Sequence, residues 1–115
     1  MTEEQSPTAT IAYNLNFETG ELTWSDALYT ACGYDHTEPA GTTEWWSEHI
    51  HPNDAMLLNQ AMDKLLDPAV REWTVAYRFR RADNVYVPVQ DHAIVVRNEN
   101  GEAIRLTGSL VLTAQ

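Results

Sequence analysis

The chain has one cysteine, Cys32, and one lysine, Lys64, in 115 residues, and no run approaches the roughly 20 apolar residues that span a bilayer. A single cysteine excludes an internal disulfide framework. The opening residues, Met1-Thr2-Glu3-Glu4-Gln5-Ser6-Pro7, lack the positive stretch and apolar core of a secretion signal. A cytoplasmic setting is therefore expected, and any membrane link would lie outside this sequence. No Gly-x-Ser-x-Gly elbow, phosphate-cradling glycine loop or His-Glu-x-x-His helix occurs, so no catalytic set emerges and the chain is not expected to be an enzyme. The shortage of basic residues leaves a formal net charge of −10, a field that repels phosphate backbones and anionic lipid. Neither nucleic-acid binding nor direct membrane contact is expected. The acidic surface keeps a small domain soluble and would suit a salt-rich cytoplasm.

What is present supports one domain of ordinary size, large enough to bury a core unaided. Residues 1–8 are polar and read as a flexible N-terminal arm, with the domain over 9–115. Ile11, Tyr13, Leu15 and Phe17 alternate along one strand face, and Thr19-Gly20 turns the chain into a second short strand, Glu21 to Trp24. Ser25 or Asp26 can cap a short helix that Gly33 ends, and a second short helix is expected over Glu44–Ile50. Pro52 suits the first position of a third helix, in which Ala55, Leu58, Ala61, Met62 and Leu65 form an apolar stripe until Asp67-Pro68.

The period then changes from 3.6 to 2. Trp73, Val75, Tyr77 and Phe79 alternate with Thr74, Ala76, Arg78 and Arg80, and turns at Asp83-Asn84 and Asn98–Gly101 define two further strands. Two strands, several short helices and a three-stranded meander make an α+β domain, with a five-stranded antiparallel sheet and its helices on one face.

Several residues invite a chemical role. His49, His51 and Asp54, with Cys32 from another loop, could ligate a metal, but their spacing is loose. The simpler reading has His51 capping the helix, His49 on the solvated side of its turn and Asp54 answering the helix dipole. Trp24, Trp45, Trp46 and Trp73 could stack on a flavin, although core packing is the commoner use of such rings. Arg78 and Arg80 share a strand face and are expected to pair with Asp83, Asp91 or a helix carboxylate.

The order of elements resembles the PAS domain, in the PAS-plus-PAC form of bacterial and archaeal sensory proteins. The resemblance covers residues from about 10 to 113. It rests on Trp24-Ser25, Gly33-Tyr34, Trp45 followed by Ile50-His51-Pro52-Asn53-Asp54, Tyr77 to Asp83, Val96 to Gly101, and Gly108. Three positions depart from the pattern. Asn84 replaces the turn glycine, a change that left-handed geometry tolerates. Pro88 replaces an aromatic residue and predicts a bulge or local unpairing. Val111-Leu112-Thr113 lacks the aspartate that commonly leads into a signalling helix.

The resemblance implies a sensory module that binds a small ligand, mediates dimerisation, or does both. Leu28, Tyr29, Trp46, Leu58, Met62, Ala76 and Val89 are expected to line its pocket. Haem is not expected, because the long helix, read as Asn53 to Leu66, has no histidine. A flavin–cysteine adduct is not expected either, because Cys32 lies in Ala31-Cys32-Gly33-Tyr34 rather than the Asn-Cys-Arg context. Flavin without an adduct and a ligand-free interaction domain stay as alternatives. The outer sheet face is the expected homodimer surface. The end at Gln115 suggests a covalently linked output domain of histidine-kinase or cyclic-dinucleotide type.

Overall fold

The computed structural model describes residues 9–112, so the arm expected over residues 1–8 lies outside the described residues. Strands β1 (Ala9–Asn16) and β2 (Leu22–Trp24) form the first hairpin. Helices α1 (Ala27–Cys32), α2 (Thr43–Glu48) and α3 (Ala55–Lys64) follow, then the long strands β3 (Glu72–Arg80), β4 (Tyr86–Arg97) and β5 (Ala103–Leu112). The five strands form one antiparallel sheet in the order β2-β1-β5-β4-β3, so the two chain halves meet where β1 pairs with β5. The α+β architecture read from the sequence is the one observed.

Local chemistry accounts for the helix limits. Thr42 caps α2 by accepting a hydrogen bond from the Trp45 amide at 3.1 Å. Gly33 ends α1 in the left-handed conformation, φ 81°, where its N–H reaches the Tyr29 carbonyl. Pro52 does start a helical segment, and His51 caps it by accepting from the Asn53 amide at 3.1 Å. The segment is broken, however: Pro52–Asp54 is a 3₁₀ turn and α3 proper begins at Ala55.

Asp54 does not act as a cap side chain. Its carboxylate reaches across to β3, accepting from Arg78 Nε at 3.0 Å, Arg78 Nη2 at 2.8 Å and the Arg78 amide at 2.9 Å. The Arg78 pairing with a helix carboxylate expected from the sequence is thus present, and Arg81 pairs with Asp83 at 2.7 Å.

Alternation divides the sheet into an inner face carrying Ile11, Tyr13, Leu15, Trp73, Val75, Tyr77, Phe79, Val87, Val89, Ala93, Val95, Leu106 and Leu110, and an outer face. Leu28, Trp45, Leu58 and Leu65 pack on the inner face from the helical side. Both sheet edges are bridged by that same connection. Glu21 pairs with Thr42 beside β2, and Ile50 pairs with Phe79 beside β3. Backbone bonds from the His51 amide to the Arg78 carbonyl and from the Arg80 amide to the His49 carbonyl extend the second bridge. Covering edges in this way removes unpaired backbone groups from solvent.

One expectation is corrected. The register at Pro88 is continuous, opposite Arg78, and the irregularity lies instead at Val96/Arg97. Arg78 turns its amide and carbonyl away from β4, toward Asp54 and His51, so Arg78–Pro88 is a pair that exchanges no hydrogen bonds. Proline is tolerated there because no donor is asked of it on the β3 side. At the true irregularity the Arg97 guanidinium donates to the carbonyls of Asp67, Val70 and Gly101. It thereby fixes the loop after α3.

The residues Tyr13, Gly108, Ala93 and Trp73 form one row across four strands, with the two smallest side chains between two large rings. A Cβ at Gly108 would stand 2.1 Å from the His92 carbonyl oxygen and 2.5 Å from Ala93 Cα, so only glycine lets β4 and β5 approach here. Gly108→Ala is expected to destabilise the domain by about 2–3 kcal/mol. Urea denaturation checks this, and an unchanged midpoint would show that the strands separate freely. Asp54→Asn is expected to cost about 1 kcal/mol, and the loss should shrink as salt is added, read by the same method at two ionic strengths.

Candidate ligand cavity

Between the inner sheet face and helices α2 and α3 lies a cavity with about 20 Å³ open to the centre of a water molecule. It is lined by Tyr13, Leu15, Leu22, Trp24, Thr43, Trp46, Met62, Trp73, Asp91, Leu106 and Leu110. Trp24, Thr43, Trp46 and Met62 are half-buried and mark its solvent side, whereas the sheet residues are buried. A larger hollow of about 470 Å³ lies by the end of α3. It is an open surface groove, and the Arg97 guanidinium beside it is already bonded to three carbonyls.

Asp91 sets the chemistry of the interior. It lies on β4 among the apolar inner residues and is 1% exposed. Tyr13 donates to its Oδ1 at 2.6 Å and Tyr77 to its Oδ2 at 2.9 Å. Trp46 Nε1 in turn donates to the Tyr77 hydroxyl at 3.0 Å, linking α2 to the carboxylate through β3. Trp73 Nε1 also bears on Asp91 and favours its charge, but falls short of hydrogen-bond geometry. Among the described residues it is the one buried side-chain polar atom without a hydrogen bond.

Burial pushes the Asp91 carboxyl up from the ordinary 3.8 to about 6, against the pull of the two tyrosine hydroxyls and the nearby Trp73 N–H. Burial and the neighbouring carboxylate hold Tyr13 and Tyr77 far above the usual phenol range, so both stay protonated donors. Desolvation lowers His49, whose Nδ1–H donates to the Trp45 carbonyl at 2.6 Å.

The residues expected to line a pocket are only partly brought together. Trp46 and Met62 reach the cavity. Leu28, Leu58 and Val89 are packed into the core, and Tyr29 is half-buried against the His36 ring at 3.9 Å. Ala76 is a correction: it lies exposed, opposite Gln90, because strand alternation turns it away from the inward Val75 and Tyr77. His49 is another, since it is 7% exposed and stacked on Trp45 at 3.9 Å rather than solvated. Among the described residues no group of three or more His, Cys, Asp and Glu side chains stands close enough to hold a metal. Cys32 is buried, which pushes its thiol up to about 11. A flavin ring system does not fit the interior as it stands, since pockets for ligands of that size run to roughly 300–1,000 Å³.

A family model described as PAS fold matches residues 21–110. The chain belongs to the PAS fold family. Among solved structures similar to this PAS domain is the N-terminal domain of a diguanylate cyclase with PAS/PAC sensor from Marinobacter aquaeolei. The two are 23% identical with a TM-score of 0.76, over 89% of this chain and 93% of that one. A sensory box histidine kinase/response regulator from Burkholderia thailandensis is 25% identical with a TM-score of 0.75, over 90% and 76% of the two chains. A histidine-kinase domain from Haloarcula marismortui, to which light and redox sensing is ascribed, is 19% identical with a TM-score of 0.76, over 93% and 91%. No curated protein matches the chain.

Asp91 of this PAS domain should titrate near 6 rather than near 4, read as the carboxyl carbon shift by NMR. Because its folded pKa is raised, its contribution favours the fold below about pH 4 and is lost as pH rises through about 6, on the order of 3 kcal/mol in all. A midpoint near 4 would mean that water reaches the carboxylate.

Proposed function

We propose that this PAS domain is the non-catalytic sensory module of a signal-transduction protein of histidine-kinase or cyclic-dinucleotide type. It is covalently joined to an output domain and works in the cytoplasm. Likeness to the Marinobacter and Burkholderia proteins supports the class of output. The observation that carries the sensory reading is the polar chain Trp46–Tyr77–Asp91–Tyr13 running through the lining of an otherwise apolar cavity. Such a chain costs more to bury than apolar side chains of equal size, so its presence favours a binding role over simple filling.

The mechanism follows from how α2 is held. A ligand larger than a water or two must displace Trp46 or Met62, the movable half-buried walls. Displacing Trp46 breaks its bond to Tyr77 and disturbs α2, whose C-terminal end leads directly into the His49–His51 bridge on β3. The signal then passes to the sheet and its outer face as a shift between two packings. The pocket residues of this reading are Trp46 and Met62, joined by Tyr13, Trp24, Trp73 and Asp91.

A second reading, a dimerisation module, is favoured by the small cavity and by Ile94, 60% exposed beside exposed Val96 on the outer face. The two readings are compatible in a homodimer through that face. Small molecules released by denaturing the purified domain, identified by mass spectrometry, test the first. A bound metabolite in near-stoichiometric amount is expected, and a preparation that releases none removes its support. For the second, sedimentation should find a dimer that Ile94→Lys dissociates at least about tenfold more readily, since a buried charge in an interface is strongly unfavourable. A wild-type monomer at high concentration would sink it.

A further inference from the structure

Asp91 is a buried carboxylate without a cation. Among the described residues no lysine or arginine pairs with it, and the arginine ion pairs join Arg78 to Asp54 and Arg81 to Asp83. His92 is adjacent in the chain but points to the outer face, where it meets Glu72 at 2.8 Å. Buried charges are ordinarily paired, so the cation this carboxylate lacks has to come from outside or the group must protonate. Around the cavity, the rings of Tyr13, Trp24, Trp46 and Trp73 supply electron-rich surroundings that attract a cation and solvate it in place of water. The lining carries no basic side chain.

Building on the reading of this cavity as a ligand site, we propose that it takes the ammonium group of a small amine, held between Asp91 and the surrounding aromatic rings. The volume suits the head group: about 20 Å³ open to water centres holds one or two water-sized groups, and an ammonium is of that size. Its N–H groups have acceptors in the carboxylate, whose oxygens each take one tyrosine bond and retain a lone pair. A short apolar tail would run toward the half-buried side, past Met62 and Trp46. Anionic ligands are disfavoured twice over, by Asp91 and by the net charge of −10. A neutral ligand of the same shape gains the apolar contacts but leaves the carboxylate without its countercharge.

Calorimetric titration of the intact chain with butylammonium chloride, butan-1-ol and sodium butyrate, above neutral pH and at fixed ionic strength, separates charge from shape. Butylammonium should bind at least about tenfold more tightly than butan-1-ol, with no binding of butyrate. Asp91→Asn should abolish that preference while butan-1-ol binding persists. Equal binding of the amine and the alcohol would overturn the ammonium site and leave the cavity reading standing. So would preference for butyrate. Binding of none of the three would overturn both. If Asp91→Asn fails to fold, the wild-type series decides alone, since it needs no variant.

Discussion

Everything inside this domain is arranged around one buried carboxylate. Asp91 stands on the inner face of β4, between apolar neighbours two residues away on either side, and its burial would be prohibitive without donors. The donors arrive from different parts of the fold: Tyr13 from β1, Tyr77 from β3, with Trp46 of α2 backing Tyr77. Tyr13 must cross β5 to make its bond, because β5 separates β1 from β4. The crossing takes place where Gly108 and Ala93 bring β5 and β4 close together with little side-chain bulk. The glycine and the carboxylate are therefore parts of one constraint, which only this strand order satisfies.

Among the described residues the helical connection joins this cluster through Trp46 alone. That connection is short of its own packing: α1 and α2 have six residues each, too few to be stable as isolated helices. They are held by tertiary anchors. Trp45 packs against Tyr34, His49 and Phe79, Trp24 Nε1 donates to the Ala40 carbonyl at 2.7 Å, and Trp45 Nε1 to Glu38 at 2.9 Å. Trp45 is thus core architecture, whereas its neighbour Trp46, on the next helical position, looks toward the cavity and the polar chain. One tryptophan fixes the helix and the other connects it to the interior.

Much of this was legible in the chain itself. Period-2 alternation locates β3, the turns at Asp83-Asn84 and Asn98–Gly101 set off β4 and β5, Gly33 and Pro52 locate helix limits, and Asn84 at φ 68° holds the turn that its identity allows. The cavity was less legible, for two physical reasons. Ala76 is small and apolar enough to suit a pocket wall, but its alternation with Val75 and Tyr77 places it outward. Asp91 is one of three carboxylates the sequence offers to Arg78 and Arg80, yet Val87, Val89, Asp91, Ala93 and Val95 form one apolar alternation with a carboxylate inside it, a pattern that marks a buried acid. What no alternation reveals is which rings converge on that acid, because Tyr13 and Asp91 are 78 residues apart and meet only through the strand order.

Placing a titratable group at the crossing of three elements has a consequence for how a sensor of this design works. A change in the charge balance at Asp91, by a proton or by a bound cation, alters what its donors gain from pointing at it. Tyr13 and Tyr77 cannot relieve the change by ionising, since both are held as phenols. They can only lengthen, rotate or exchange partners. Tyr77 shares its hydroxyl with Trp46, so any rearrangement there is felt at α2 and through the His49–His51 bridge at the edge of β3. Tyr13 delivers it to β1, the strand that joins the N-terminal hairpin to β5. A purely apolar cavity would respond to a ligand by swelling, with forces spread over many weak contacts. Directional bonds from one carboxylate to two strands, and through Tyr77 to α2, concentrate the response instead, which makes two discrete packings of the domain easier to separate.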